Sequence, residues 1–128
     1  MKLLLDTHTA LWWVNEYKKL SPSAKNMLLD DTNKLYISIV SLWEIAIKVS
    51  LGKMQGLTGG VGIFIAKMKY MPISLLPVLT SHVEIVETLP YIHRDPFDRL
   101  LVATAITEGL TILTVDESIH SYDTPTVW

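Results

Sequence analysis

DPFDRLLVATAITEGLTILTVD, Asp95 to Asp116, is the stretch whose reading decides the fold. Pro96 stands where a helix begins, and Asp95 before it can cap the first free amides. The apolar, alanine-containing run behind them closes at Gly109, a helix-ending residue. TILTV (111–115) then reads as a short buried strand, followed at once by Asp116. A helix running straight into a buried strand is the second half of a parallel crossover unit. Asp98 falls in the third helical position, where its charge also suits the helix dipole by ~0.3–1 kcal/mol.

The alternation continues outward from this stretch. LLL (3–5) is a strand, and THTALWWVNEY (7–17) a helix. SPSAKNMLLDD (21–31) is a helix with Ser21 as cap and Pro22 in the first position. LYIS (35–38) is a strand, and IVSLWEIAIKVSLG (39–52) a helix closed by Gly52. KMQGLTGGVGIFIAKMKY opens as a loop with Gly56, Gly59 and Gly60 and turns into a short helix. MPISLLP (71–77) holds a strand. In SHVEIVETLP, Ser81 and Glu84 match a capping box and Pro90 ends the helix. TPTVW adds a short edge strand. Strands this far apart cannot be joined by hairpins. They imply an α/β fold with a mainly parallel sheet, helices on both faces and a single domain over residues 1–128.

The totals agree with one domain. The chain has 128 residues, of which 49% are hydrophobic and 19% charged, and its mean hydropathy of +0.31 is high for a chain of this size. That excess points to apolar surface covered by a partner. There is no cysteine, which removes disulfides, thiol nucleophiles and thiolate zinc sites and suits a cytoplasmic protein. No uncharged apolar run approaches the ~20 residues of a membrane span, and Asp6 interrupts the leucines that would otherwise begin a signal peptide. The net charge of −2 excludes indiscriminate attraction to nucleic acid, so an RNA substrate requires a local basic rim.

Open parallel sheets bind ligands beyond the carboxyl ends of their strands. Asp6 follows the first strand, Asp116 follows TILTV, Glu44 lies in the first turns of the helix after LYIS, and Asp98 in the first turn of the helix before TILTV. All four can meet on one rim. Asp6 and Asp116 also suit turn or cap roles, and Glu44 could pair with Lys48 at i,i+4. Helix 40–51, however, is apolar on nearly every side, with Ser41, Glu44 and Lys48 as one narrow polar stripe, so it reads as buried around a wet seam. Asp95 serves as the cap, leaving Asp98 for the rim. Two unit charges ~4 Å apart repel by about 4 kcal/mol at an effective dielectric near 20. Either protons or a cation must relieve four carboxylates, and an all-oxygen set favours Mg²⁺ or Mn²⁺ over zinc.

LLLDTHTALWW, SLWEIAIKVSLGK, HRDPFDRLLVATA and LTVD, in this order and covering essentially the whole chain, resemble the PIN-domain ribonucleases, most closely the VapC-type toxins of bacterial toxin–antitoxin pairs. The resemblance implies a Rossmann-like three-layer α/β/α sandwich. It implies an acidic tetrad of Asp6, Glu44, Asp98 and Asp116, serving as catalytic and metal-binding residues. It also implies Mg²⁺- or Mn²⁺-dependent endonucleolytic cleavage of RNA, restraint by a cognate antitoxin protein, and a homodimer. Alternatives are a PIN nuclease of RNA processing outside toxin–antitoxin systems, a non-catalytic PIN-like binding module, and an aspartyl phosphatase suggested by LLLDTHT. The last expects a second acid where His8 stands.

Around the tetrad, Thr7 and Ser41 are candidates to touch substrate, and Lys48 and Arg99 to hold the RNA backbone, with Lys53 and Arg94 beside them. His8 and His93 adjoin site residues, although a structural role is commoner for a lone histidine. Trp12, Trp13, Trp43 and Trp128 suit core or interface positions. Lys67, Lys69 and Tyr70 make a small basic–aromatic group. GLTGGVG lacks the Gly-Lys-Ser/Thr of a phosphate loop.

Overall fold

The computed structural model of the chain describes residues 1–54 and 57–128, so Gly56, assigned above to a loop, lies outside the described residues. The strands are β1 (Lys2–Leu5), β2 (Lys34–Ser38), β3 (Ile73–Leu76), β4 (Thr111–Leu113) and β5 (Thr126–Val127). They form one sheet in the order β3-β2-β1-β4-β5, and every pairing is parallel. The helices are α1 (Thr7–Asn15), α2 (Pro22–Leu29), α3 (Ile39–Ser50), α4 (Gly60–Met68), α5 (Thr80–Thr88), α6 (Pro96–Glu108) and α7 (Glu117–His120).

The strand residues sort the core into two layers by simple alternation. Leu3 and Leu5 of β1, Leu35 and Ile37 of β2 and Leu113 of β4 face a cluster with Leu11, Ala24, Ile45 and Phe64. Leu4 and Ile112 point the other way, into a cluster with Leu101, Val102 and Ala105 of α6. This alternation fixes register, because a slip of one residue would move every leucine to the opposite layer. Helices therefore cover both faces, as expected.

Local chemistry sets the ends of α2 and α6 as the sequence predicts. Ser21 accepts from the Ala24 amide at 3.0 Å. Asp95 accepts from the Phe97 and Asp98 amides at 2.9 and 3.3 Å, with Pro96 in the first helical position. Gly109 closes α6 at φ +66°, a left-handed conformation that favours glycine.

Four expectations are corrected. The Ser81–Glu84 capping box does not form, because α5 starts two residues earlier, at Thr80, with Leu79 in the cap position. Nδ1 of buried His82 instead accepts from the Leu79 amide at 3.1 Å, while its Nε2 lies 2.7 Å from Oε1 of Glu108. Helix α3 is not buried on all sides. Ser41 and Glu44 of its polar stripe are buried with Val40, Leu42 and Ile45, Lys48 is half-buried, and Ile39 and Trp43 are exposed. The hydroxyls and carboxylate turn inward because α1 offers them a hydrogen-bonding partner. Finally, β4 ends at Leu113, so Thr114 and Val115 separate it from Asp116. Helix α1 likewise stops at Asn15, and a 3-10 turn over Tyr17–Lys19 follows.

Candidate active site

From β1 the chain steps to β2 and β3 on one side of the sheet, and later to β4 and β5 on the other. The reversal opens a crevice at the carboxyl ends of β1 and β4, where an open α/β sheet presents its ligand site. Asp6 sits at this point, its backbone amide donating to the Leu113 carbonyl at 3.3 Å. One carboxylate oxygen caps α1 by accepting from the Thr9 amide at 2.7 Å. The other accepts from the hydroxyl of buried Thr114. Burial pushes the Asp6 carboxyl above its ordinary range, against the pull of the hydrogen bonds from Thr114 and Thr9.

Glu44 reaches the same end from α3 and is only 2% exposed. Its Oε1 lies 2.8 Å from the Thr7 hydroxyl, which also lies 3.0 Å from the Ser41 hydroxyl. Each hydroxyl has one proton. Thr7 therefore donates to the carboxylate and accepts from Ser41. Oε2 accepts from Lys48 at 2.5 Å. Partial burial pulls the Lys48 ammonium down, but the hydrogen bond and charge of Glu44, with the charges of Asp95 and Asp98, raise it overall.

Asp98 comes to the crevice from the first turn of α6, with its side chain 15% exposed. Its pKa is pushed up to about 8, first by burial and then by the negative charges of Asp95, Glu44, Asp116 and Asp6. Asp116 sits just beyond β4. It caps α7 by accepting from the Ser118 amide at 2.7 Å, and its own amide donates to Thr114 Oγ1 at 3.0 Å. Thr114 thus links Asp6 to Asp116.

Asp6, Glu44 and Asp116 therefore lie within electrostatic reach of Asp98. Among the described residues, no three Asp, Glu or His side chains stand together as a metal cage. Asp6, Glu44 and Asp116 are hydrogen-bonded to neighbouring hydroxyl, amide or ammonium groups, and Asp98 to a histidine nitrogen. The donor set nevertheless fits a hard divalent ion. It is all oxygen, and the burial and negative charge that raise the Asp98 pKa are what a cation would offset.

Comparison with known proteins gives the family. The sequence profile described as "PIN domain" matches residues 3–125. The chain belongs to the PIN-domain family. This PIN domain is 29% identical to Ribonuclease VapC22 of Mycobacterium tuberculosis, with 98% of each chain covered. Its fold is similar to VapBC2 from Rickettsia felis bound to a promoter DNA fragment, with a TM-score of 0.74 at 17% identity, covering 99% of this chain and 98% of that one. It is also similar to DNA-bound VapBC from Salmonella typhimurium, with a TM-score of 0.67 at 18% identity, covering 100% and 97%.

The flanking candidates of this PIN domain divide. Thr7, Ser41 and Lys48 are bound up with Glu44, Thr7 and Lys48 directly and Ser41 through Thr7. Arg99, expected to hold RNA, is corrected. It is 5% exposed, and its guanidinium donates to the carbonyls of Pro90, Val86 and Leu89 and to the Tyr122 hydroxyl. A charged group facing inward from α6 must find acceptors, and the α5–α6 connection supplies them. His8, Lys53 and Arg94 are exposed. Trp43 packs edge-on against Phe97 at 5.2 Å yet is 58% exposed. Sequence reasoning missed Thr114, whose only signal is a hydroxyl residue in the otherwise apolar ILTV. It also missed Tyr122, which carries no signal at all.

Proposed function

We propose that this chain is a Mg²⁺- or Mn²⁺-dependent endoribonuclease and the toxin of a toxin–antitoxin pair. The observation that carries the reading is the pressure on Asp98. Burial, and then four negative neighbours, push its pKa up to about 8 at the sheet's switch point, where open α/β sheets bind ligand. The likeness to a protein named Ribonuclease VapC22 supports RNA as substrate, and the likeness to VapBC complexes supports an antitoxin protein as partner.

Asp6 and Asp98 would hold the ion directly, with Asp116 beside them or acting through water. A bound divalent ion supplies Lewis-acid charge and a water of lowered pKa. Asp98 gives up its proton on joining the site. Glu44, fixed by Thr7 and Lys48, orients the attacking water or accepts its proton. In-line attack at phosphorus then breaks the bond to the 3′ oxygen, leaving 5′-phosphate and 3′-hydroxyl ends. Lys48, Lys53 and Arg94 provide the rim for the RNA backbone. Arg99 has no part in that rim.

An apolar groove of about 500 Å³ runs between Trp43, Val83, Val86, Tyr91 and Leu100. We assign its cover to the antitoxin, whose docking there would also mask Arg94 on the groove's edge from RNA and account for the high mean hydropathy. Cleavage of RNA by the purified protein, dependent on Mn²⁺ or Mg²⁺, abolished by EDTA and lost in Asp98→Asn, tests the reading. Cleavage that persists in Asp98→Asn contradicts it.

A further inference from the structure

Asp98 is not held by its helix alone. Its Oδ2 lies 3.3 Å from Nε2 of His93, and Nδ1 of that ring lies 2.8 Å from the hydroxyl of Tyr122. Tyr122 is buried just beyond α7, and its oxygen accepts from Arg99 Nη1 at 3.1 Å. Arg99 is fixed in turn by three backbone carbonyls, of which Pro90 is the nearest at 2.9 Å, and lies over the ring of Tyr91 at 4.4 Å.

The proton positions follow by counting. Arginine only donates, so the Tyr122 oxygen receives its N–H. Among the described residues, the Tyr122 proton then has one acceptor within hydrogen-bond distance, Nδ1 of His93. That nitrogen must carry the lone pair, because a hydrogen on it would leave a buried hydroxyl proton unpaired. The ring hydrogen is consequently on Nε2, aimed at Asp98. The other oxygen of Asp98 accepts no hydrogen bond from the described residues and is left for the crevice.

We propose that Tyr122 and Arg99 are positioning residues, which lock the His93 tautomer that donates to Asp98 and so aim its carboxylate at the divalent ion. The inference rests on the reading of Asp98 as a ligand. Outer partners that orient a ligand typically account for 10–100-fold in metal affinity.

The tests are Mn²⁺ calorimetry and steady-state RNA cleavage on the full-length protein, with folding checked by circular dichroism. Tyr122→Phe and His93→Leu weaken Mn²⁺ binding about tenfold or more and lower kcat, with KM for RNA unchanged. His93→Gln, whose amide nitrogen stands in for Nε2 but offers Tyr122 no acceptor in the place of Nδ1, binds Mn²⁺ more tightly than His93→Leu and more weakly than wild type. In the His93→Leu background Tyr122→Phe costs nothing more, since it acts through a ring that is gone. Two-bond nitrogen–proton NMR of the wild-type His93 ring reads the tautomer without any variant, and the pattern of a hydrogen on Nε2 is expected. A hydrogen on Nδ1, unchanged Mn²⁺ binding in Tyr122→Phe, or losses that add in the double variant overturn the proposal. A wild type that binds no Mn²⁺ overturns the metal reading itself and this inference with it, whereas a wild type that binds while the variants are insensitive removes the positioning alone.

Discussion

In metal-free protein, Asp98→Asn stabilises the fold, and the gain grows with pH. The Asp98 carboxyl titrates at about 8 in the folded chain against an ordinary value of 3.8. Below the ordinary value both states are protonated, and the group contributes nothing. Between the two values the unfolded chain has released the proton while the folded chain still holds it. Stability therefore falls as pH rises, by ~1.4 kcal/mol per unit, until the folded pKa is passed. About four units give a ceiling of about 6 kcal/mol. Side-chain rotation and water entry at a partly open site reduce this, so a gain of about 2–4 kcal/mol is expected at pH 8, or on the order of 10 °C in Tm. Asparagine keeps the shape and the acceptor for His93 but carries no charge. Urea denaturation in EDTA at pH 4, 6 and 8 measures the gap between variant and wild type. A gap that does not change with pH, or a variant less stable at pH 8, refutes the reasoning. Excess Mn²⁺ should narrow or reverse the gap, because only the wild type gains from binding.

Other outcomes follow from neighbouring groups. Asp95→Ala removes the cap of α6 and costs about 1 kcal/mol in denaturant melts, while removing a negative neighbour should bring the Asp98 pKa down when followed by NMR. Arg99→Lys loses the planar fork that serves three carbonyls and Tyr122, lowering stability by ~2–4 kcal/mol. In Arg99→Gln, which removes the charge, the slope of RNA affinity against salt should stay as in wild type, and a shallower slope would return Arg99 to the RNA rim. Phe64→Ala empties the fully buried centre of the α1–α4 layer and costs about 3–5 kcal/mol by chemical denaturation.

The fold was legible because its punctuation is local. Asp95-Pro96, Ser21-Pro22 and Gly109 each set a helix end through groups within four residues, and the alternation of leucines in β1 fixes both layers. The placement of the four acids was legible for a similar reason, since each stands at or near the carboxyl end of a strand or the start of a helix. What the sequence hid was tertiary pairing. Arg99 reads as a surface cation until the carbonyls of Val86, Leu89 and Pro90 fold over it. The polar stripe of α3 reads as a wet seam until Thr7 arrives from α1 and buries it, which turns Trp43 to the outside. His82 could not be recognised as the side chain that reaches back to the cap of α5, because histidine seldom takes that part and the Ser81–Glu84 spacing fitted a commoner motif two residues along.

The central claim is that mutual repulsion among Asp6, Glu44, Asp98 and Asp116 is relieved by a divalent cation. Mn²⁺ binding calorimetry at pH 7, repeated in buffers of different ionisation enthalpy, tests it most directly. A proton held on Asp98 to about pH 8 must leave when the ion arrives, so wild type should release close to one proton per ion bound, and Asp98→Asn should bind weakly and release none. Binding without proton release, or equal binding by the variant, would contradict the account.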